Sequence, residues 1–173
     1  MSGTVGKVSR GDRRGRKLDV HDRALGLLAV RARSRSELER RLTSAGFERD
    51  EIRETLERLT AVGLVDDEAF ARSFAEHAVA TRGEGRRAVE SALFAKGVSR
   101  ETIDLVVTEV TGDQGDESER ALALARSRVT RLRGADPVAA YRKLFSFLAR
   151  RGYPPSVSRE AARQALEIDH TVA

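Results

Sequence analysis

Nine basic side chains fall between positions 120 and 151: Arg120, Arg126, Arg128, Arg131, Arg133, Arg142, Lys143, Arg150 and Arg151. Asp136 is the single acidic residue in that stretch, which therefore carries a net charge of +8. Guanidinium and ammonium groups at this density do one kind of chemistry: they bind oxyanions, phosphate or carboxylate, through charge-assisted hydrogen bonds. A second basic cluster opens the chain, where Lys7, Arg10, Arg13, Arg14, Arg16 and Lys17 face Asp12 alone, a net of +5 over residues 1–17. That equals the formal charge of the whole protein, so the other 156 residues sum to zero. Just before the downstream block lies an acidic patch of Asp113, Asp116, Glu117 and Glu119.

Other chemistries find no support. There is no cysteine, which removes thiolate catalysis and disulfides. His21, His77 and His170 are isolated, with no metal-ligand spacing around them. The only GxG, Gly83-Glu84-Gly85, has no preceding strand and an acidic residue between its glycines, so it reads as a loop rather than a phosphate cradle. Asp66-Asp67 stands at a helix start, where capping explains a carboxylate pair. No serine is flanked as a nucleophile elbow. The expectation is a protein that is not an enzyme and needs no cofactor or metal.

The elements that carry these charges are helices. Apolar residues recur at helical spacing from Asp22 onward, and the charged share of 34% with 5% aromatics suits a solvated helical protein. Three segments repeat one pattern: LERRLTSAGFERDEI, VESALFAKGVSRETI and LFSFLARRGYPPSVS. Aligned on Gly46, Gly97 and Gly152, each has Leu42, Leu93 or Leu148 four residues earlier and Leu38, Val89 or Leu144 eight earlier. Ile52 and Ile103 stand six residues beyond the glycine, whereas the third copy places Val157 one position early. The glycine suits a left-handed helix end, Ser99 an N-cap, and Pro154-Pro155 a break. Ser34 with Glu37 reads as a capping box. A further helix precedes each pair, anchored by Leu25 and Leu28, by Phe70 and Phe74, and by Leu122, Ala125, Val129 and Leu132. Leu105–Val110, β-branched and locally ambiguous, becomes helix by its place in the repeat. The period, 51 and then 55 residues, accommodates three helices. We expect units this small to need their neighbours to cover their apolar faces.

Each glycine joint has the outline of a DNA-reading helix-turn-helix. The helices that follow, however, expose net charges of −1, −2 and 0, and a recognition helix must approach phosphates. The joint is therefore read as scaffolding. The basic residues lie on other helices. At about 100° per residue, Arg120, Arg128 and Arg131 fall within roughly 80° of one another, away from the Leu122–Leu132 stripe. Arg126 and Arg133 form a second row. On the next helix Tyr141, Leu144, Phe145 and Leu148 are spaced as core, Lys143 and Arg150 share a flank joined by Arg142, and Arg151 stands at the helix end.

The stretches RARSRSELERRLTSAGF, GLVDDEAFARSF and RGEGRRAVESALFAKGVSRETI, in that order, resemble the RecX family of recombination regulators, with the likeness covering about Ala24–Leu166. The resemblance implies an all-α protein of three tandem three-helix repeats forming an elongated, curved array. It implies binding to the RecA recombinase filament in its groove, with single-stranded DNA inside that complex, and suppression of ATP hydrolysis, strand exchange and filament growth. It assigns no contact residues; the nine downstream cations, assisted by the basic arm, are our expectation from charge geometry. The alternative is a DNA-binding protein that works alone through the same face and arm. The expected organisation is a disordered basic arm over 1–21, repeats over 22–66 and 67–111, an acidic linker over 112–118, a third repeat over 119–168 and a tail over 169–173. Lacking an apolar leader or membrane span, the chain is expected to be a cytoplasmic monomer.

Overall fold

The structure, a computed structural model, describes residues 19–112, 114–132 and 134–171. Residues 1–18 of the expected arm and the last residues of the tail lie outside them, as do Asp113 and Arg133, whereas Val20 and His21, expected in the arm, are the first residues of a helix. Among the described residues there are nine α-helices and no strand. The first unit comprises α1 (Val20–Val30), α2 (Arg35–Ser44) and α3 (Arg49–Ala61). The second comprises α4 (Asp67–Arg82), α5 (Arg86–Ala95) and α6 (Arg100–Thr111). The third comprises α7 (Gln114–Val129), which continues into a 3₁₀ turn at Thr130–Leu132, then α8 (Pro137–Arg150) and α9 (Pro155–Thr171). The stretch expected as an acidic linker is thus mostly the first turn of α7, where Asp116 and Glu117 suit the positive helix end.

The repeat alignment is reproduced in the packing. Leu38 and Leu42, Val89 and Leu93, and Leu144 and Leu148 are all at most 1% exposed, each pair one turn apart on the second helix of its unit. Val106 and Val107 of the ambiguous segment are buried within α6. The one-residue slip in the third copy is real: Val157 enters the core, and the next position is Ser158, buried with its hydroxyl donating to the Tyr153 carbonyl.

The structure corrects one expectation. Neighbours do not share a core; each unit closes its own. The first is built around Leu38, Leu42, Ile52, Leu56 and Leu59, the second around Phe70, Val89, Leu93, Ile103 and Val107. The third is narrower, with Ala121 and Ala125 of α7 and Ala161, Ala162 and Ala165 of α9 in the same cluster as Leu144 and Leu148. Small side chains let those two helices approach closely, so three helices can enclose an apolar interior.

The units join through helix ends instead. The first turn of each second helix carries backbone N–H groups with no partner inside the helix. In α2, the N–H of Arg35 donates to Asp67 of α4 at 2.7 Å, and the Ser34 hydroxyl donates to the Lys96 carbonyl at 2.6 Å. In α5, the N–H of Arg86 donates to Glu117 of α7 at 3.0 Å, and the N–H of Gly85 donates to the Arg151 carbonyl at 2.7 Å. Each unit therefore caps the second helix of the unit before it. The glycine of each joint completes the contact. Gly97 and Gly152 have positive φ, and a Cβ there would collide with Ser36 and with Ala88 respectively. At Gly46, in the first unit, the same Cβ would meet open space. At the other end of the array, α8 begins with Pro137, and Asp136 accepts from the Ala139 N–H of the same helix at 2.9 Å.

The expected capping box at α2 is half present. Ser34 accepts from the Glu37 N–H at 3.1 Å, but the Glu37 carboxylate turns away to Arg31, Arg33 and Arg41. Three guanidiniums outcompete one amide for a carboxylate. Arg33 is itself buried and donates to the Leu27 carbonyl at 3.1 Å, so the cluster fastens α1 to α2.

Candidate functional site

An open cleft of about 520 Å³ lies between α7 and α8 in the third unit. Arg128 and Arg131 line it from α7 and its 3₁₀ turn, and Arg142, Lys143 and Arg150 from α8. Leu132, Leu144 and Phe147 supply the apolar floor. The α8 sequence builds this local arrangement directly. Leu144 and Leu148 point into the core, which leaves Lys143, Phe147 and Arg150 on the flank beside α7. No carboxylate lines the cleft, and none of its five cations makes an ion pair among the described residues.

Phe147 organises the guanidiniums. The Arg128 guanidinium lies 4.1 Å from its ring centre and that of Arg151 5.3 Å. A cation held over an aromatic face loses little solvation and keeps its hydrogen-bonding edge free for an anion. The cleft can therefore hold phosphate or carboxylate oxygens with side chains already partly ordered. Tyr141 and Phe145 stack on each other at 6.4 Å, on a different part of α8.

Of the nine downstream cations expected from sequence, the structure brings Arg128, Arg131, Arg142, Lys143 and Arg150 to this cleft, with Arg151 on the same ring. Arg126 is exposed and does not line the cleft, and Arg133 lies outside the described residues, as do all six cations of the arm. Arg120 goes elsewhere. It donates to the Thr111 carbonyl at 2.7 Å, and its Nε is buried with no hydrogen-bond partner among the described residues. Beside it, burial pushes the Tyr153 hydroxyl up, while the Arg120 charge draws it down. Arg120 thus belongs to the joint between α6 and α7. The arc that grouped it with Arg128 counted angle alone; eight residues of rise put the two about 12 Å apart along α7, and only Arg128 stands beside the cleft.

Sequence counting missed the basic residues of the earlier units. A cavity of about 660 Å³ between units one and two is lined by Arg31, Arg40, Arg41, Arg82 and Lys96. Arg82 and Lys96 each stand 5.1 Å from the ring centre of Phe74, a second aromatic ring with two cations. The available signal was the sidedness of charge, which a balanced local total conceals.

The third helices of the units behave as scaffolding. Each carries ion pairs along its own length, Arg53 with Asp50, Arg100 with Asp104, and Arg163 with Glu160 and Glu167. Glu109 of α6 bridges to Arg72 of α4 at 2.7 Å. Among the described residues, no helix is long and apolar enough to cross a membrane and no cluster of three metal-ligating side chains occurs.

Comparison with known proteins agrees with the three-unit division. Family models described as the first, second and third three-helix domains of RecX match residues 21–59, 66–107 and 116–162 respectively. The chain is 36% identical to "Regulatory protein RecX" of Corynebacterium efficiens over 155 residues, covering 88% of this chain and 74% of that protein. It is 38% identical over 151 residues to the protein of the same name from Mycolicibacterium smegmatis (85% and 79% covered), and 41% over 149 residues to that from Mycobacterium marinum (84% and 84%). Among solved structures, RecX from Lactobacillus salivarius superimposes with a TM-score of 0.74 at 20% identity, covering 84% of this chain and 94% of that one. A second structure, titled regulatory protein RecX, gives 0.69 at 24% identity, covering 80% and 67%.

Proposed function

This chain belongs to the RecX family, and from that premise we propose that it is a modulator, chiefly an inhibitor, of the RecA recombinase. In this reading it lies in the groove of the RecA–single-strand DNA filament and suppresses ATP hydrolysis, strand exchange and filament growth. The observation that supports it is the cleft of five cations between α7 and α8, which has no carboxylate of its own. Cations gathered without an internal ion-pair partner are matched by an external anion, the acidic face of a filament protomer or the backbone of the strand it encloses. Three rigid units in tandem let several modest contacts act together along a helical assembly through effective concentration. A ligand that favours one filament arrangement shifts its population and, with it, the ATPase.

The test is a titration of DNA-stimulated RecA ATPase, with and without residues 1–17. Suppression is expected well below one regulator per recombinase. Arg131→Glu with Arg142→Glu should weaken it at least tenfold with an unchanged melting temperature, since both side chains are exposed and unpaired among the described residues. Suppression that appears only once the protein has coated all the DNA would instead favour a DNA-binding protein working alone.

A further inference from the structure

At both joints the docking element comes from earlier in the chain than the face that receives it. The start of α2 seats on the second unit, where Ser36 occupies the space a Cβ on Gly97 would take and the Ser34 hydroxyl meets the Lys96 carbonyl. The start of α5 seats on the third, with Ala88 against Gly152 and the Gly85 N–H on the Arg151 carbonyl. The first unit offers the corresponding face at Gly46, and nothing among the described residues seats on it. A Cβ there would have no atom within 4 Å. Ala45 and Glu48 are exposed, and Phe47 is only partly buried, whereas its counterparts Val98 and Tyr153 are each 3% exposed. Terminal units of a repeat array need a cover for the face that an inner unit gives to its neighbour.

An open cavity of about 570 Å³ marks this face, and Asp19, Arg23, Phe47, Glu48 and Glu51 line it. Three carboxylates against one guanidinium make it anionic, unlike the α7–α8 cleft and the cavity between units one and two. None of the four charged groups makes an ion pair among the described residues. Glu48 and Glu51 are held in place by their reciprocal capping bonds at the start of α3.

Two observations identify the occupant. Asp19, on the rim, is where residues 1–18 join the described chain, just as each docking helix start lies before the unit that receives it. Residues 10–16 of that segment, RGDRRGR, carry Arg10, Arg13, Arg14 and Arg16 against Asp12, a net of +3 that complements the face. At about 3.3 Å per residue they reach any point on the cavity from Asp19, and so short a tether sets a local concentration on the order of millimolar. A second copy fits less well. The corresponding element it would bring, the start of α8, carries Asp136 and has no donor at Pro137, and its cationic cleft is itself a depression.

We propose that residues 10–16 seat on the Gly46 face of the first unit as an intramolecular ligand that covers this end of the array. The contact is made by charge at Asp19, Glu48 and Glu51 rather than by a side chain pressed on Gly46, so it is reversible and salt-sensitive. While seated, the cations of the arm are matched within the chain, and an outside anion must displace the acidic face to reach them. The inference concerns the free protein and stands apart from the regulator reading.

The chain has no cysteine, so Gly11→Cys gives a single attachment point for a nitroxide in the full-length protein. The label should quench the amide NMR signals of residues 45–51 and spare those of α6 and α9, whose surfaces also carry carboxylates. Glu48→Gln with Glu51→Gln, which keeps hydrogen-bonding side chains at the helix start, should restore the quenched signals. So should 1 M salt, where the Debye length is about 3 Å. Melting of the paired variant checks its fold, and Asp19→Asn serves if the pair is destabilised, since the Asp19 side chain makes no capping bond. Absence of quenching at residues 45–51, quenching that survives both charge removal and salt, or quenching spread over α6 and α9 would overturn the proposal. Isotope-labelled chains mixed with spin-labelled chains should show no quenching; a signal loss there would assign the face to a second copy instead. ATPase suppression plays no part in the readout, so loss of the regulator reading leaves this result unchanged.

Discussion

Replacing Gly46, Gly97 and Gly152 one at a time by alanine should produce three different losses, although their sequence contexts match. All three have φ between +78° and +87°, so a side chain at each costs about 1–2 kcal/mol of backbone strain. At Gly46 the new methyl meets open space, and that strain is the whole effect. At Gly97 it meets the Ser36 side chain, so the joint must open. That stretches the bond from Ser34 to the Lys96 carbonyl and the one from the Arg35 N–H to Asp67. A neutral and a charged hydrogen bond together add about 2–4 kcal/mol. At Gly152 the methyl meets the backbone nitrogen of Ala88, which cannot rotate away, so the loss should be at least as large. Urea unfolding followed by helical circular dichroism measures this directly. Gly46→Ala should lower stability by about 1–2 kcal/mol and keep one transition. Gly97→Ala and Gly152→Ala should lose about 3–6 kcal/mol and broaden or split the transition, because each unit has its own core and the joint is what couples them. Equal losses at all three glycines would refute the reasoning, since the joint would then contribute nothing beyond local backbone preference.

Two more outcomes follow from the polar contacts. Burial pushes the Glu37 carboxyl up, but hydrogen bonds from Arg31, Arg33 and Arg41 outweigh it and hold it down at about 2. Its folded value lies below the unfolded 4.5, so its contribution is complete above pH 4.5 and is lost as pH falls toward 2. With two of the arginines half exposed, the contribution is about 2–3 kcal/mol. The stability gap between wild type and Glu37→Gln should close across that window, and a gap independent of pH would count against it. For the neighbouring carboxylates, hydrogen exchange should separate the helices they serve. Asp66→Ala should lower protection at Glu68 and Ala69 of its own helix, and Asp67→Ala protection at Arg35 in the preceding unit, each costing about 1 kcal/mol. Loss of protection at the same amides in both variants would contradict the assignment.

Much of this architecture is legible from residue order because helical periodicity is a local property. Leu38, Leu42 and their counterparts identify the second helices, and the recurring glycine identifies the joint. What the joint touches is not local. Asp67 reads as part of its own helix start, and only the folded chain reveals that it serves Arg35 of the preceding unit. The separate cores were hidden for a related reason: apolar spacing tells which face is buried, not against which neighbour. At the site, charge density located the α7–α8 cleft but overcounted at Arg120, whose guanidinium is taken by the Thr111 carbonyl. It undercounted at Arg82 and Lys96, since their units are neutral in sum. Sidedness, rather than total charge, decides where an anion can approach.

Pro137 sets the start of α8 apart from the starts of α2 and α5. In the two earlier units the second helix is a turn shorter and begins with Arg35 or Arg86, whose backbone N–H is handed to the unit that follows. Proline has no such hydrogen to offer, and Asp136 satisfies its own helix from within. The first residue of α8 therefore lacks the donor that joins the earlier units to their neighbours. Extending the array by design would begin there, with Pro137→Arg and Asp136→Ser, before any new helix is added.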